Sequence, residues 1–116
     1  MSMAYEIPGF RFSCISSGDI AKFAPVKITD SNVVSQAGAG EAAIGIAQME
    51  AESDQEESIT IMNGGISFVY YGAEVNAGKE VEVGSDGKVI EQDSGEAIGV
   101  AMVSGNADEL GCILLK

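Results

Sequence analysis

Histidine and tryptophan are both absent from the 116 residues. Without histidine the chain lacks the commonest general base, the commonest metal ligand and the side chain that switches charge near physiological pH. Ser-His-Asp and Cys-His catalytic arrangements are excluded outright. Proline occurs only twice, against fifteen glycines, and this mixture suits strands joined by many turns better than helices. The two cysteines, Cys14 and Cys112, lie far apart without CxxC spacing, so they read as small buried apolar residues rather than a disulfide framework. No run approaches the length of a membrane span, and MSMAYEIPGFRF has no long apolar stretch. The expectation is a protein made in the cytoplasm, neither secreted nor membrane-inserted. Basic residues are scarce as well, six against eighteen acidic, for a formal charge of −12. Such a surface repels phosphate backbones and anionic lipid, so no direct nucleic-acid or membrane partner is expected.

What is present is an internal repeat. Residues 26–47 align with 81–101 when Ala43 is skipped, and eight of the 21 aligned pairs are identical, including Gly40/Gly95, Glu41/Glu96, Ile44/Ile98 and Gly45/Gly99. Upstream, Asp19-Ile20 falls on Glu74-Val75. Downstream, an ungapped register places Ile59 on Ile113 and Ile61 on Leu115. The chain therefore reads as two copies of one unit, about 17–61 and 72–115, within a single domain spanning 13–116, preceded by an N-terminal arm over 1–12. The extra Ala43 predicts a bulge in the first copy alone.

Each unit reads as strands. VKI and VEV alternate apolar with polar, TDSN and GSDG are turn-rich tips, and VVSQ and KVIEQ return as second arms of hairpins. IGIA and IGVA are apolar on both faces and read as covered central strands. Aromatic strands introduce the copies, with Phe10, Phe12 and Cys14 on one face and Ile66, Phe68 and Tyr70 on the other copy's face. Only 17–23 hints at a helical turn, with Ser17 as its cap. The fold class is all-β, two similar β units in a sandwich- or barrel-like, β-tulip-like arrangement.

No catalytic constellation emerges. Glu41 and Glu96 occupy equivalent positions, but nothing in the sequence makes them converge in a cleft as a carboxylate pair must, and scaffold is the better reading. Asp93-Ser94-Gly95 matches the triplet of aspartic peptidases, yet its counterpart is Gly38-Ala39-Gly40, without the second aspartate. Glu50, Glu52, Asp54, Glu56 and Glu57 lack the spaced glycine of a calcium loop and read as a solvated loop. Asn63-Gly64-Gly65 is too short for a phosphate cradle. No catalytic residue, metal ligand or cofactor site is assigned. The arm is the exception: Tyr5, Ile7, Pro8, Phe10 and Arg11 are residue types that anchor interfaces, and the arm has no counterpart before the second copy. A frayed first strand and a partner-binding arm are both open readings.

With Gly72-Ala73-Glu74-Val75-Asn76-Ala77-Gly78, Ser85-Asp86-Gly87-Lys88-Val89 and Ala97-Ile98-Gly99-Val100-Ala101, the chain resembles the capsid cement, or head-decoration, proteins of tailed bacteriophages, from about residue 7 onward. The resemblance implies a non-enzymatic virion protein that binds the outer surface of the mature head as a homotrimer and ties neighbouring major capsid subunits together, often through extended arms. An alternative is a lipoyl- or biotinyl-like carrier, to whose Gly-x-x-Val-x-x-Gly stretches GAEVNAGKEV is similar. Lys88 would be its modifiable lysine, but the expected Met-Lys-Met or Asp-Lys-Ala flanks are absent.

Overall fold

Short alternating segments separated by glycine-rich tips fold here into nine strands. A computed structural model describes residues 4–52 and 57–116. The strands are β1 (Ile7–Ser16), β2 (Pro25–Asp30), β3 (Val33–Gln36), β4 (Gly45–Ala47), β5 (Ser58–Tyr70), β6 (Glu80–Val83), β7 (Val89–Glu91), β8 (Ala97–Ala101) and β9 (Leu110–Leu115). Among the described residues the helical content is one 3-10 turn, Ser85–Gly87. The all-β expectation holds. The helical turn expected at 17–23 does not form, because Ile20 and Ala51 exchange both backbone hydrogen bonds, at 3.0 and 2.9 Å, and take the groups a helix would need.

The strand order is β1-β3-β2-β4-β5-β9-β8-β6-β7, with an added β1–β5 pairing. The first five strands thus close on themselves, with β1 parallel to β3 through Ile15–Val33 and Ser16–Val34 and antiparallel to β5 from Ile7–Ile66 to Ile15–Ser58. The second half repeats the scheme: Tyr71–Val89 is a parallel bridge, and β5 pairs with β9 from Ile66–Leu114 to Tyr70–Leu110. β5 serves both halves, ending the first and starting the second.

The hydrogen bonds repeat with the strands. Val26–Gln36 and Val81–Glu91 are equivalent ladder pairs. Ser17 N–H to Val34 O and Gly72 N–H to Val89 O are both 2.8 Å. Phe23 N–H to Ala47 O and Gly78 N–H to Ala101 O are also both 2.8 Å. The left-handed backbone at Phe23 (φ 64°) matches that at Gly78 (φ 88°), so the unit geometry imposes it even on a phenylalanine.

Two sequence expectations are corrected. Ser16 N–H bonds Glu57 O while Tyr71 N–H bonds Glu109 O, and Ala47 pairs with Ile61 while Ala101 pairs with Ile113. Ile61, not Ile59, is therefore the counterpart of Ile113. Because Ile20–Ala51 still matches Val75–Gly105, the extra length of the first copy lies between Ala51 and Glu57. Nor does Ala43 create a bulge, since it lies ahead of β4, where Ile44 N–H already bonds Val26 O at 2.9 Å. Each copy has an irregular ladder, neither of them at Ala43: the register shifts between Ile28 and Asp30 on β2 and between Val81 and Glu82 on β6.

Each half has its own core. Cys14, Ile20, Val26, Val34, Ala47, Ala51, Ile59 and Ile61 fill the first. Val69, Tyr71, Val75, Val81, Val83, Val89, Ile98, Ala101 and Ile113 fill the second, which also takes in Ala37 and Ile46 from the first copy. The two Gly-Glu-Ala runs meet at this junction. Gly40 N–H bonds Val83 O at 2.8 Å, and Glu96 N–H bonds Gly40 O at 3.0 Å. A Cβ on Gly95 would lie 2.4 Å from Gly40 Cα, so the close approach requires glycine there.

Candidate partner-binding surface

The arm is not separate from the sheet: residues 7–12 are the first part of β1, hydrogen-bonded along β5. Two features let it lie there. Pro8 sits opposite Gly65, and Gly65 has φ +68° with space for a Cβ only 2.4 Å from Ile7 O. A side chain at 65 would hold the two strands apart.

Cross-strand pairs set the faces. Cys14 opposes Ile59 and Phe12 opposes Ile61, so Phe10, Phe12 and Cys14 do share the face of the first core. The strand then climbs out of that core: Cys14 is 5% exposed, Phe12 38% and Phe10 82%. On β2, Ile28 pairs with the buried Val34 yet is itself 57% exposed. The second unit covers the equivalent positions. Val83 and Ser67, the counterparts of Ile28 and Phe12, are buried, and Ala37, Ala43 and Ile46 of the first copy pack into that core. Among the described residues Ile28 and Phe12 have no such cover.

The five arm residues divide between two faces. Pro8 and Phe10 point with the core-facing set, whereas Tyr5, Ile7 and Arg11 lie on the other side of the strand, all of them exposed. Arg11 Nη2 bonds Glu6 Oε1 at 3.0 Å. Phe12 and Ile28 are further exposed apolar residues on the core-facing side and were missed. For Phe12 the signal was the large-to-small contrast with Ser67, readable once the copies are aligned; Ile28 against Val83 gives no such contrast. The second aromatic face differs again: Ile66, Phe68 and Tyr70 oppose the Val69–Tyr71 core side, and Phe23 packs on Phe68 and Tyr70 with ring centroids 5.4 and 6.3 Å away.

The carboxylates act as scaffold. Glu41 accepts two bonds from Lys27 Nζ, at 2.8 and 3.0 Å, and one from Gly38 N–H at 2.6 Å. Lys27, and then the Gly38 amide, hold its carboxyl below the usual carboxylate range. In the second copy a buried Glu82 replaces Lys27 and accepts the N–H groups of Asp93 and Gly95. The Asp93-Ser94-Gly95 turn is thus held through its backbone. In the acidic loop, Glu57 accepts from Glu52 N–H at 3.1 Å, and Asp54 and Glu56 lie outside the described residues. No group of three metal-ligating side chains occurs among the described residues. A pocket of about 200 Å³ lies between the copies, lined by Ala43, Ile46, Asn63, Glu96, Ile98 and Lys116 among others. That is smaller than the roughly 300–1,000 Å³ typical of ligand pockets.

No family model and no curated protein matches the chain. A solved structure does: the N base of head fiber gp8.5 of bacteriophage phi29, with TM-score 0.77 over 92% of this chain and 93% of that one, at 12% identity. The fold is similar to that of a phage head fiber base. A likeness over 92% of the chain extends beyond either copy alone. At this identity it speaks for the fold alone.

Lys88, the lysine of the carrier alternative, follows the 3-10 tip and bonds Asp108 Oδ1 at 2.6 Å. That contact and the Asp108 charge hold its ammonium above the usual lysine range.

Proposed function

We propose that this chain is a non-enzymatic structural protein of a phage virion, docked on the outer surface of the head through the exposed apolar side of β1. The observation that carries the reading is that Phe12 and Ile28 are exposed where their duplicates, Ser67 and Val83, are buried, with Phe10 exposed beside Phe12 on the same face of β1. The fold that presents them is similar to a head fiber base. Anchoring aromatics of this kind dominate binding energy when a partner desolvates them. The acidic surface suits a partner with basic exposed segments and disfavours DNA or membrane as the target.

In this reading the chain binds major capsid subunits, bridges them as a homotrimer and stabilises the mature lattice by mass action, since it binds that state alone. Three contacts per trimer add avidity without new chemistry. The test is co-sedimentation of the purified chain with mature heads that lack it. Saturable binding is expected, weakened at least about tenfold by Phe10→Asp, the loss expected for one interface anchor. Absence of co-sedimentation at micromolar concentration would refute the reading.

A further inference from the structure

The internal repeat shows what is missing from β1. Residues 62–66 of β5 are the equivalents of 7–11 of β1. On β5 these residues have neighbours on both edges: β4 and β9 on one side, through Ile46–Met62 and Ile66–Leu114, and β1 on the other, through Ile7–Ile66 and Arg11–Met62. β1 has only β5. On its other edge β3 pairs with Ile15 and Ser16 and goes no further. Among the described residues nothing pairs with the outer edge of 7–14.

The backbone directions along that edge follow from the bonds at its inner end. Ile15 N–H points to β3, bonding Asn32 O at 2.8 Å, whereas Ser16 N–H points to β5, bonding Glu57 O at 2.8 Å. Alternation then turns the N–H and C=O groups of Ser13 and Arg11 outward, toward the vacant edge. Beside them stand Phe10 and Phe12 on one face and Ile7 and Arg11 on the other, all exposed. The edge presents two donors, two acceptors and flanking apolar side chains over roughly 25 Å of strand.

We propose that this edge receives an extended strand of a different protein of the phage head, laid antiparallel to β1 as β1 is laid on β5. The inference rests on the head-binding reading and deepens it by naming the form of the partner segment. The occupant is a strand because the equivalent edge in this same chain holds one, and antiparallel because Ile7–Ile66 and Arg11–Met62 run that way. It is not a second copy. The segment that would continue the repeat, 62–66, is already paired on both edges. The partner strand is apolar on the side facing Phe10 and Phe12 and carries basic residues elsewhere. Main-chain bonds supply affinity in such strand addition, and alternate side chains supply selectivity.

The test uses the full chain and purified mature heads lacking it. Ser13→Pro deletes an outward donor at an edge position, where proline is tolerated in a fold. The variant should keep the wild-type thermal midpoint within a few degrees yet bind heads at least about tenfold more weakly, the loss expected for removing one bond and blocking its neighbour. Amide hydrogen exchange checks the same point without substitution. In the free chain Arg11 and Ser13 should exchange fast and Phe10, Phe12 and Cys14 slowly, with Arg11 and Ser13 slowed at least about tenfold on heads. Wild-type binding to heads with no gain of protection at Arg11 and Ser13 would overturn the proposal while leaving head binding intact. Protection of the two amides through self-association, without heads, would also overturn it.

Discussion

Replacing Gly95 by alanine tests whether the two Gly-Glu-Ala runs are a junction between copies. The added Cβ would lie 2.4 Å from Gly40 Cα, 2.9 Å from Gly40 O and 2.7 Å from Glu82 Oε2. Carbon atoms rest at about 3.5–4.0 Å, so something must move by roughly 1 Å. Gly40 cannot yield freely, because its N–H is bonded to Val83 O at 2.8 Å and its C=O to Glu96 N–H at 3.0 Å. Glu82 is held by the turn that Gly95 belongs to. Overpacking of this kind costs about 1–3 kcal/mol, and each junction bond it breaks about 1 kcal/mol more. The expected loss is about 3 kcal/mol.

Gly40→Ala provides the contrast. Its Cβ would come no nearer than 3.5 Å to Gly95 Cα, but the backbone there has φ +75°. The cost is conformational, about 1–2 kcal/mol. Asparagine, which tolerates that backbone region, should recover part of the loss at 40 and none at 95. Urea unfolding of the four variants, at constant slope, reads the order directly. If Gly95→Ala lost less stability than Gly40→Ala, or if Gly95→Asn were milder than Gly95→Ala, the junction geometry would be wrong.

Tyr71 is fully buried, its hydroxyl donates to Val103 O at 2.6 Å, and burial pushes its phenol up to about 12. The folded state therefore holds the proton that the unfolded chain releases near pH 10. The stability contributed by Tyr71 should be full below pH 10 and fall by about 2 kcal/mol as pH rises through 12, and Tyr71→Phe should remove that part of the slope from the urea midpoint. Glu41 works in the opposite direction: its depressed carboxyl contributes stability above the unfolded value of 4.5 that is lost as pH falls through its folded value. NMR titration should place its midpoint below 4.5, and Lys27→Met should raise it. Cys14 and Cys112 are buried, and burial raises both thiols. Both should alkylate at least about tenfold more slowly in buffer than in denaturant, as inert structural cysteines do.

Much of the fold was legible because its signals are local. Hairpins announced themselves through VKI-TDSN-VVSQ and its counterpart, and the covered strands through IGIA and IGVA, which end up buried as β4 and much of β8. The register after Ala51 was not legible. Between Ala51 and Glu57 the chain is mostly polar and charged, with no apolar period to show where extra residues lie, and only the ladder Ala47–Ile61 fixes it. The arm residues were legible as a set of anchors and, in one of two open readings, as a first strand, but the partner of that strand was not legible. The glycine at 65 that lets Pro8 lie against β5 stands far away in sequence. Opposite aromatic faces in the two copies escaped notice for a related reason. Alternation shows which residues share a face, but the face that meets the core depends on cross-strand partners.

The copies share their hydrogen bonds and differ in what they expose. Where the second unit has Gly65, Ser67 and Val83, the first has Phe10, Phe12 and Ile28. These apolar side chains stand in water, and folding gains little from that part of their surface. In the second unit the same positions lie under the first, so a small residue there is what packing demands. In the first unit no such demand exists, and large side chains contribute only when something external covers them. The vacant edge of β1 lies beside two of them, Phe10 and Phe12. One incoming strand would bond Arg11 and Ser13 and cover Phe10 and Phe12 together, giving the first unit the neighbour that the second already has.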